Sequence, residues 1–330
     1  MKKSIYIFSQ GLLKRKDNTI RFYCEDVNKY IPVENISDIY AFGDIDVTKK
    51  LLELLSQKDI MLHYYNHYGY YMGSFYPREH YNSGYMILNQ AKMYLMDETR
   101  LQLAKSFVKG SIVNILGVLK YYYLRGKALE ESIQRISLIN HSIDEADSIS
   151  SLMGLEGNAR DLYYHNFDEI IKQEDFLFEQ RTRRPPLNYL NTLISFGNSL
   201  MYTTVLSEIY RTHLDPRIGF LHSTNFRRFS LNLDIAEIFK PIIVDRVIFL
   251  LLNKKSITKK HFDKDMKGIL LKESGKKIFL EAYDNRLSTT IMHKGLKRKV
   301  SYRQLIRLEL YKLQKHLMEE KEYIPYKHSF

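Results

Sequence analysis

The chain has 330 residues, enough for one large domain or two of ordinary size. It is 45% hydrophobic and 27% charged and has no low-complexity tract or fixed-period repeat, which indicates a globular protein with a real core. The single cysteine, Cys24, excludes an intrachain disulfide and a cysteine-rich zinc site, and it fits a reducing compartment.

Lysine and arginine outnumber aspartate and glutamate by 50 to 38, a formal net charge of +12. Such an excess favours an anionic partner, usually nucleic acid, although a soluble protein with a merely basic surface is the alternative. The apolar run from Ile5 to Phe8 is too short for a signal peptide, and Val247 to Leu252 is too short to span a membrane. We therefore expect a cytoplasmic protein with no membrane partner.

Residues 1–76 predict a small β-rich domain with one helix. Leucines at 51, 52, 54 and 55 make 47–57 amphipathic at helical period. Asp17 and Asn18 lie in a turn-rich stretch between the first two strands and predict a hairpin. The predicted strands are 4–8, 19–24, 30–33, 36–42, 60–65 and 70–75.

The tyrosine-rich segment 63–71, HYYNHYGYY, allows two interpretations. Aromatic side chains can stack on bases, but alternating tyrosines in strands more often pack against each other. His63 and His67 have no cysteine or carboxylate at ligand spacing, so no metal site is predicted there.

Residues 77–83 combine proline with polar residues and predict a linker, after which 84–330 shows a helical period almost throughout. Between the helices, 178–186 and 294–299 are basic loops that could contact a phosphate backbone or simply be solvated. The predicted helices are 85–109, 111–125, 129–139, 144–166, 188–213, 229–239, 242–253, 259–272 and 301–321.

An acidic pair follows a histidine in the helix predicted at 229–239. Asp234 and Glu237 are three residues apart, which places their Cβ atoms about 5–6 Å apart on a helix surface. His222 lies just upstream, and Pro241 should end or kink the helix. These residues suit an oxygen-and-imidazole metal site, but taken alone they favour a solvated acidic pair beside a core histidine.

A second segment, around Glu156, helps to decide between a metal site and a structural role for these residues. Glu156 projects into an apolar stripe that includes Met153, Ala159 and Tyr163, where a carboxylate is unfavourable unless it is paired or binds a cation. Arg160, four residues on, could be that partner. A metal ion held between Glu156, His222 and the acidic pair explains more of the pattern.

Four ordered blocks together resemble the CRISPR-associated protein one family, the integrase subunit of the spacer-acquisition machinery. They are GLEGNARDLYY (154–164), RRPPLNYLNTLISFGNSL (183–200), LDPRIGFLH (214–222) and SLNLDIAEIFKPIIVD (230–245). The rest of the chain is similar to the family in layout rather than in motif.

The resemblance implies an α+β fold, with a β-sandwich-like dimerisation domain at 1–76 and a larger all-α catalytic domain at 84–330. Glu156, His222 and Glu237 match the family's metal ligands, and Asp234 matches a further acidic position that acts as a ligand or orients one. Many members carry aspartate where this chain has Glu237, and the longer side chain could move the ion.

Three further residues are considered near this site. Arg160 and Asn191 fall on family-like positions, where they could hold ligands or phosphate or have structural roles. Asp245, beyond the proline, is expected to pair with Arg246 or with a neighbouring helix.

Carboxylate ligands suit Mg²⁺ or Mn²⁺, and one imidazole biases the site towards Mn²⁺. The family joins the 3′-hydroxyls of a short double-stranded DNA fragment, the spacer precursor, to the repeat borders of a CRISPR array. It works as two homodimers bridged by a dimer of a small ferredoxin-like companion, CRISPR-associated protein two. The resemblance thus implies a metal-dependent DNA integrase and endonuclease of antiviral defence.

Two alternatives remain open from the residues. A metal-dependent endonuclease on branched DNA, acting in repair, would use the same residues with water as nucleophile. A non-catalytic DNA-binding scaffold subunit would use the acidic residues structurally.

Overall fold

The computed structural model describes residues 2–24, 27–66, 68–77, 81, 83–224, 229–265, 268–293 and 295–329. The chain divides into two compact units, residues 1–81 and 82–330. Of the predicted linker 77–83, residues 78–80 and 82 lie outside the described part of the chain.

The first unit consists of two four-stranded sheets and one helix. In the sheet ordered β1-β5-β7-β8, the first three strands are parallel and β8 is antiparallel to β7. In the sheet ordered β4-β3-β2-β6, β3 is antiparallel to both of its neighbours. The elements are β1 (Lys3–Ile7), β2 (Gly11–Lys16), β3 (Thr19–Cys24), β4 (Val27–Pro32), β5 (Ile36–Ala41), β6 (Ile45–Val47), α1 (Lys49–Gln57), β7 (Met61–Tyr65) and β8 (Tyr71–Phe75).

One hydrophobic core joins both sheets to α1. Ile39 of β5, Leu13 of β2, Ile20 of β3 and Leu54 of α1 are all at most 1% exposed and belong to the same cluster. Every residue of β5 is buried, as expected for a central strand covered on both faces. The β-sandwich-like prediction is confirmed, whereas a dimerisation role for this unit stays a prediction.

The structure corrects the predicted first hairpin. Gly11–Lys16 is itself a strand, and it pairs with Thr19–Cys24 through a turn in which Asp17 has a φ of 53°. In the tyrosine-rich segment, His63 and Tyr65 are buried in aromatic contacts with Tyr40, which favours packing over base stacking for these two residues. His67 lies outside the described residues.

The second unit is mainly helical, which confirms the α+β fold class, but two short hairpins mean that it is not entirely α. Its helices are α2 (Gly84–Leu95), α3 (Asp97–Tyr123), α4 (Glu130–Ser142), α5 (Ile149–His165), α6 (Phe167–Ile171), α7 (Tyr189–Ile209), α8 (Leu231–Phe239), α9 (Arg246–Asn253), α10 (Glu273–Ser288) and α11 (Tyr302–Leu317). The hairpins are β9 (Phe262–Asp265) with β10 (Gly268–Leu271), and β11 (Thr290–His293) with β12 (Arg298–Ser301).

Two predicted helix boundaries are wrong. The first break falls at Met96, which is extended between α2 and α3, and Gly110 lies inside α3. A Cβ on Gly110 would lie 2.7 Å from Pro325, so this glycine allows close packing and does not end a helix. The helix predicted at 259–272 is instead a 3₁₀ turn, Lys259–His261, followed by the β9–β10 hairpin, with Gly268 at a φ of 141°.

Part of the basic loop predicted at 294–299 is also strand, since β12 begins at Arg298. As predicted, Pro241 ends α8, and residues Pro241–Asp245 form a single π turn that leads into α9. Among the described helices, none combines the length and apolarity that crossing a lipid bilayer requires.

Candidate metal centre

The loop before α8 is held by the buried side chain of Gln90 on α2. Its Oε1 accepts from the backbone amide of Asp215 at 2.7 Å. Its Nε2 donates to the carbonyls of Asp215 at 3.1 Å and Ile218 at 3.2 Å. Because unpaired buried polar groups are costly, these bonds favour one conformation of the loop.

Asp234, in the first turn of α8, is fully buried and binds the end of the same loop. Its Oδ2 accepts from the amides of Phe220 at 2.6 Å and Leu221 at 3.1 Å. Its Oδ1 accepts from the amide of His222 at 3.0 Å and lies 2.7 Å from Nδ1 of that imidazole. Since an ionised carboxylate only accepts, Nδ1 is assigned the proton, and in the neutral ring the lone pair is on Nε2. Asp234 therefore orients His222 with Nε2 as the nitrogen able to bind a metal ion.

Gly219 is required by the close approach of this loop to α8. A Cβ there would lie 2.7 Å from the backbone carbon of Ser230 and 2.8 Å from Oδ2 of Asp234. The Gly219 amide donates to Oγ of Ser230 at 2.8 Å, which fixes the approach.

Glu237, one turn further along α8, meets two cations. Its Oε2 accepts from Nη2 of Arg160, and its Oε1 accepts from Nζ of Lys240. Arg160, on α5, also contacts Oε1 of Glu156, from Nη2 at 3.1 Å and from Nε at 3.3 Å. The same Nη2 donates to Oγ of Ser111 at 3.1 Å. Nη2 of Arg160 thus lies between the carboxylates of Glu156 and Glu237.

Opposite charges in this cluster stabilise one another's ionised forms. Although burial alone would raise it, the charges of Lys240 and Arg160 lower the pKa of Glu237 to about 2. Burial opposes the charge of His222 as well, but its hydrogen bond to Asp234 and the charges of Asp234 and Glu237 raise its pKa. The charge of Glu237 therefore acts on His222, which places the two residues in one electrostatic neighbourhood.

The structure brings the four predicted residues, Glu156, His222, Asp234 and Glu237, into two adjoining pairs. Two carboxylates and one imidazole nitrogen are a donor set that fits Mg²⁺ or Mn²⁺. A guanidinium nitrogen of Arg160 already bridges the carboxylates as a cation. Within the described ranges, however, no three His, Cys, Asp or Glu side chains stand ready to hold a metal ion. Metal binding would therefore require Arg160 to move away from the carboxylates.

Asp245 is fully buried, and among the described residues no ion pair or hydrogen bond to Arg246 is found for it. Burial raises the pKa of Asp245 to about 7, and the nearby Arg160, Tyr163 and Lys240 offset only part of that effect. Arg160 and Tyr163 belong to α5, so a neighbouring helix does act on Asp245, although the geometry of a hydrogen bond is not reached.

Asp245→Asn is expected to increase the free energy of unfolding above neutral pH. The native carboxyl of the parent keeps its proton up to about pH 7, whereas its ordinary value is 3.8. The parent therefore loses stability as the pH rises between these values, by at most about 1.4 kcal/mol per unit. The amide cannot ionise, so urea unfolding should show an advantage that grows between about pH 4 and pH 7, to at most about 4 kcal/mol, and stays level above that.

The control for this experiment is Asp161→Asn, on the exposed side of α5. It should change stability by less than about 0.5 kcal/mol at either pH. Parallel pH profiles for the parent and Asp245→Asn would show that Asp245 is ionised in the folded protein.

Lys240, a cation of the site, was not predicted, and Arg181 was predicted only as part of the basic loop 178–186. Lys240 is 4% exposed and lies within 2.6 Å of the hydroxyl of Tyr202 in addition to Glu237. Its contact with Glu237 could have been predicted, because a spacing of three residues places two side chains on one helix face. Arg181, from the basic loop 178–186, is held by Oδ1 of Asn191 at 3.0 Å. Asn191 therefore has a structural role in fixing this loop.

A family model described as CRISPR associated protein Cas1 matches residues 5–285. The chain belongs to the Cas1 family. Its relatives include CRISPR-associated endonuclease Cas1 2 of Thermodesulfovibrio yellowstonii, which is 60% identical and covers 99% of each chain. The structure of a CAS1 protein from Thermotoga maritima matches with a TM-score of 0.89 at 50% identity, covering 97% of this chain and 99% of the other. The family predicted from the four sequence blocks is confirmed.

Two more distant structures share the Cas1 fold at 19% identity. One is a casposase bound to integration product, with a TM-score of 0.88 and coverage of 100% of this chain and 95% of the other. The other is a Cas6-RT-Cas1–Cas2 complex, with a TM-score of 0.85 and coverage of 100% and 36%. At this identity the likeness establishes a common fold.

Proposed function

We propose that this chain is a metal-dependent DNA integrase that inserts spacer fragments into a CRISPR array by 3′-hydroxyl transesterification. Membership of the Cas1 family supports the proposal. The observation that carries it is the gathering of Glu156, His222 and Glu237 from three separate segments, with a cationic nitrogen between the two carboxylates. In this proposal the three residues bind Mg²⁺ or Mn²⁺, and Asp234 orients His222.

A bound divalent ion would neutralise the charge that builds on the phosphodiester oxygens. Glu156 and Glu237 would bind it through carboxylate oxygens, and His222 through Nε2. Lys240 keeps the carboxylate of Glu237 ionised and buried. The 3′-hydroxyl oxygen forms a bond to phosphorus as the bond to the leaving 3′ oxygen breaks, so that the reaction needs no ATP.

The proposed partners are double-stranded DNA, a second copy of this chain through the β-rich unit, and the companion protein two. The two distant neighbours, a casposase bound to integration product and a complex that contains Cas2, support DNA and the companion as partners. The net charge of +12 agrees with a DNA partner.

A strand-joining assay tests the proposal. It combines a 3′-hydroxyl DNA duplex, a supercoiled plasmid with a CRISPR leader and repeat, Mn²⁺ or Mg²⁺, and the companion protein. Joined product should form with the parent and disappear with EDTA. Glu156→Ala and His222→Ala should lower its rate by at least roughly 100-fold, as expected when a group that stabilises transition-state charge is lost.

Matched controls are Glu131→Ala and His141→Ala, both exposed on α4, which should join at the parent rate. Joining that persists in EDTA would contradict metal dependence. Parent-like joining by either site variant would remove that residue from the mechanism.

Two other functions have specific support. The similarity to CRISPR-associated endonucleases favours a nuclease on branched DNA, which would cut in the same assay without joining. The neutralisation of Glu237 by Arg160 and Lys240 favours a non-catalytic scaffold, in which the carboxylates only hold the helices together. A folded parent that binds DNA but neither cuts nor joins would support the scaffold.

A further inference from the structure

Three arginines stack on tyrosine rings in the second unit: Arg125 just after α3, Arg246 in α9 and Arg286 in α10. We define the arginine cluster as Arg125, Arg246 and Arg286. The guanidinium carbon of Arg125 lies 3.5 Å from the ring centre of Tyr121, and that of Arg246 lies 4.2 Å from the same ring. Arg286 stacks on Tyr302 at 4.1 Å.

Among the described residues, which do not include the C-terminal Phe330, no carboxylate forms an ion pair with any residue of the arginine cluster. The buried Nη1 of Arg246 has no hydrogen-bond partner at all. Arg125 donates to the carbonyl of Tyr121, and Arg286 donates to the carbonyl of Ile242. Like charges held together without a counter-charge repel one another, and a bound anion would relieve that repulsion.

The positive charge of the arginine cluster lowers the pKa values of two neighbouring groups, Tyr121 and His328. The pKa of Tyr121 is lowered by its hydrogen bond from Arg246 and by the charges of all three arginines, although burial opposes this. Burial and the charges of Arg286 and Arg246 lower the pKa of His328 to about 4. The cluster therefore acts as one site of concentrated positive charge.

The cluster is also accessible and well placed. Arg125 is exposed at the end of α3, while Arg246 and Arg286 are half-buried. Nη2 of Arg286 donates to the carbonyl of Ile242 at 2.7 Å, in the π turn that joins α8 to α9. An anion bound here would lie beside the turn that continues from the helix carrying Glu237.

We propose that the arginine cluster is an anchor for one backbone phosphate of the DNA, separate from the metal centre. Guanidinium groups match phosphate oxygens in geometry and charge, and those of Arg125 and Arg246 both lie against the ring of Tyr121. This anchor rests on the proposed function, which supplies DNA as the partner. It holds the DNA without reading its sequence.

The test measures DNA binding by fluorescence anisotropy across a series of salt concentrations, with EDTA present so that no chemistry occurs. The double variant Arg125→Gln/Arg246→Gln should bind roughly tenfold more weakly at about 0.1 M salt. Its plot of log K against log salt should be shallower by about one unit, the effect of one lost phosphate contact. Duplexes of different sequence should be affected equally.

Two controls separate the anchor from a structural role. Arg125→Lys/Arg246→Lys keeps the charge and should keep the parent slope, whereas Arg135→Gln/Lys49→Gln removes two exposed charges elsewhere and should also keep it. A glutamine variant with a lower Tm and an unchanged slope would overturn the proposal, because the arginines would then serve only to stack on tyrosine. The slope could also stay unchanged while inorganic phosphate raises the Tm of the parent but not of the glutamine variant. That result would overturn the proposal and show that the cluster binds a free phosphate ion.

The DNA-binding test of the anchor and the joining assay of the integrase can fail independently. A parent that binds DNA with the expected slope difference but does not join strands would refute the integrase and leave the anchor standing. A parent that joins strands, with no slope difference in the glutamine variant, would refute only the anchor. A parent that does not bind DNA would refute both.

Discussion

Glu237→Gln is expected to destabilise the protein by about 3–5 kcal/mol and to reduce strand joining to background. The substitution keeps the size of the side chain but removes the negative charge between Arg160 and Lys240. Lys240 would then be buried without its counter-charge and Arg160 would keep only Glu156, and removing one partner is the costly way to break a buried pair. Urea unfolding measures the first effect, and the joining assay measures the second.

A second variant separates stability from function. Glu237→Gln/Lys240→Met also removes one of the stranded cations, so it should regain part of the lost stability and none of the joining. Glu273→Gln, in an exposed pair on α10, should change stability by less than about 0.5 kcal/mol. A Glu237→Gln protein as stable as the parent would show that the three charges do not depend on one another.

The same variants test metal binding directly. An ion that binds only the folded state stabilises it, by about 2.7 kcal/mol when its concentration is 100 times its Kd. Mn²⁺ should therefore raise the Tm of the parent but not of Glu237→Gln. Equal shifts in the two proteins would place the ion at another site.

Part of this site could be predicted from the spacing of residues in the sequence. Glu156 and Arg160 are four residues apart, and Glu237 and Lys240 three apart, so each pair shares a helix face. The contact between Arg160 and Glu237 joins residues that are 77 positions apart, and no periodicity reports such a contact. The sequence therefore predicted which residues gather and offered Arg160 as a partner for Glu156, but it did not predict that Arg160 and Lys240 neutralise Glu237.

The same limit applies to the fold. The change from strand period to helical period predicted the β-rich and helical parts, because each period is a local property of the pattern. The break at Met96 and the hairpin at 262–271 were missed, since both depend on distant packing. Ile269, for example, donates its amide to the carbonyl of Pro186 and accepts from Oγ1 of Thr192. Such bonds override the helical pattern of that segment.

Asp234→Asn is expected to reduce joining by roughly 10- to 100-fold and to raise the Mn²⁺ concentration needed for half-maximal joining by a similar factor. The carboxylate accepts hydrogen bonds from the amides of Phe220, Leu221 and His222 and from Nδ1 of the His222 ring. An amide turns its NH₂ group towards some of these donors, and each buried donor left unpaired costs about 1–3 kcal/mol. The loop would loosen, and His222 would lose the acceptor that directs Nε2 outward. Titrating Mn²⁺ in the joining assay, beside urea unfolding without metal, measures both effects.

The two measurements also decide what Asp234 does. If Asp234 orients His222, excess Mn²⁺ should partly restore joining in Asp234→Asn, because the ligand is still present but less well directed. The matched control is Gly219→Ala, whose Cβ would press on Oδ2 of Asp234 and on the backbone of Ser230. It disturbs the same loop, but residue 234 keeps its carboxylate group. A comparable loss of stability with an unchanged Mn²⁺ requirement in Gly219→Ala would separate loop packing from ligand orientation. An unchanged Mn²⁺ requirement in Asp234→Asn would instead mean that Asp234 only holds the loop, and that the orientation of His222 comes from its own backbone.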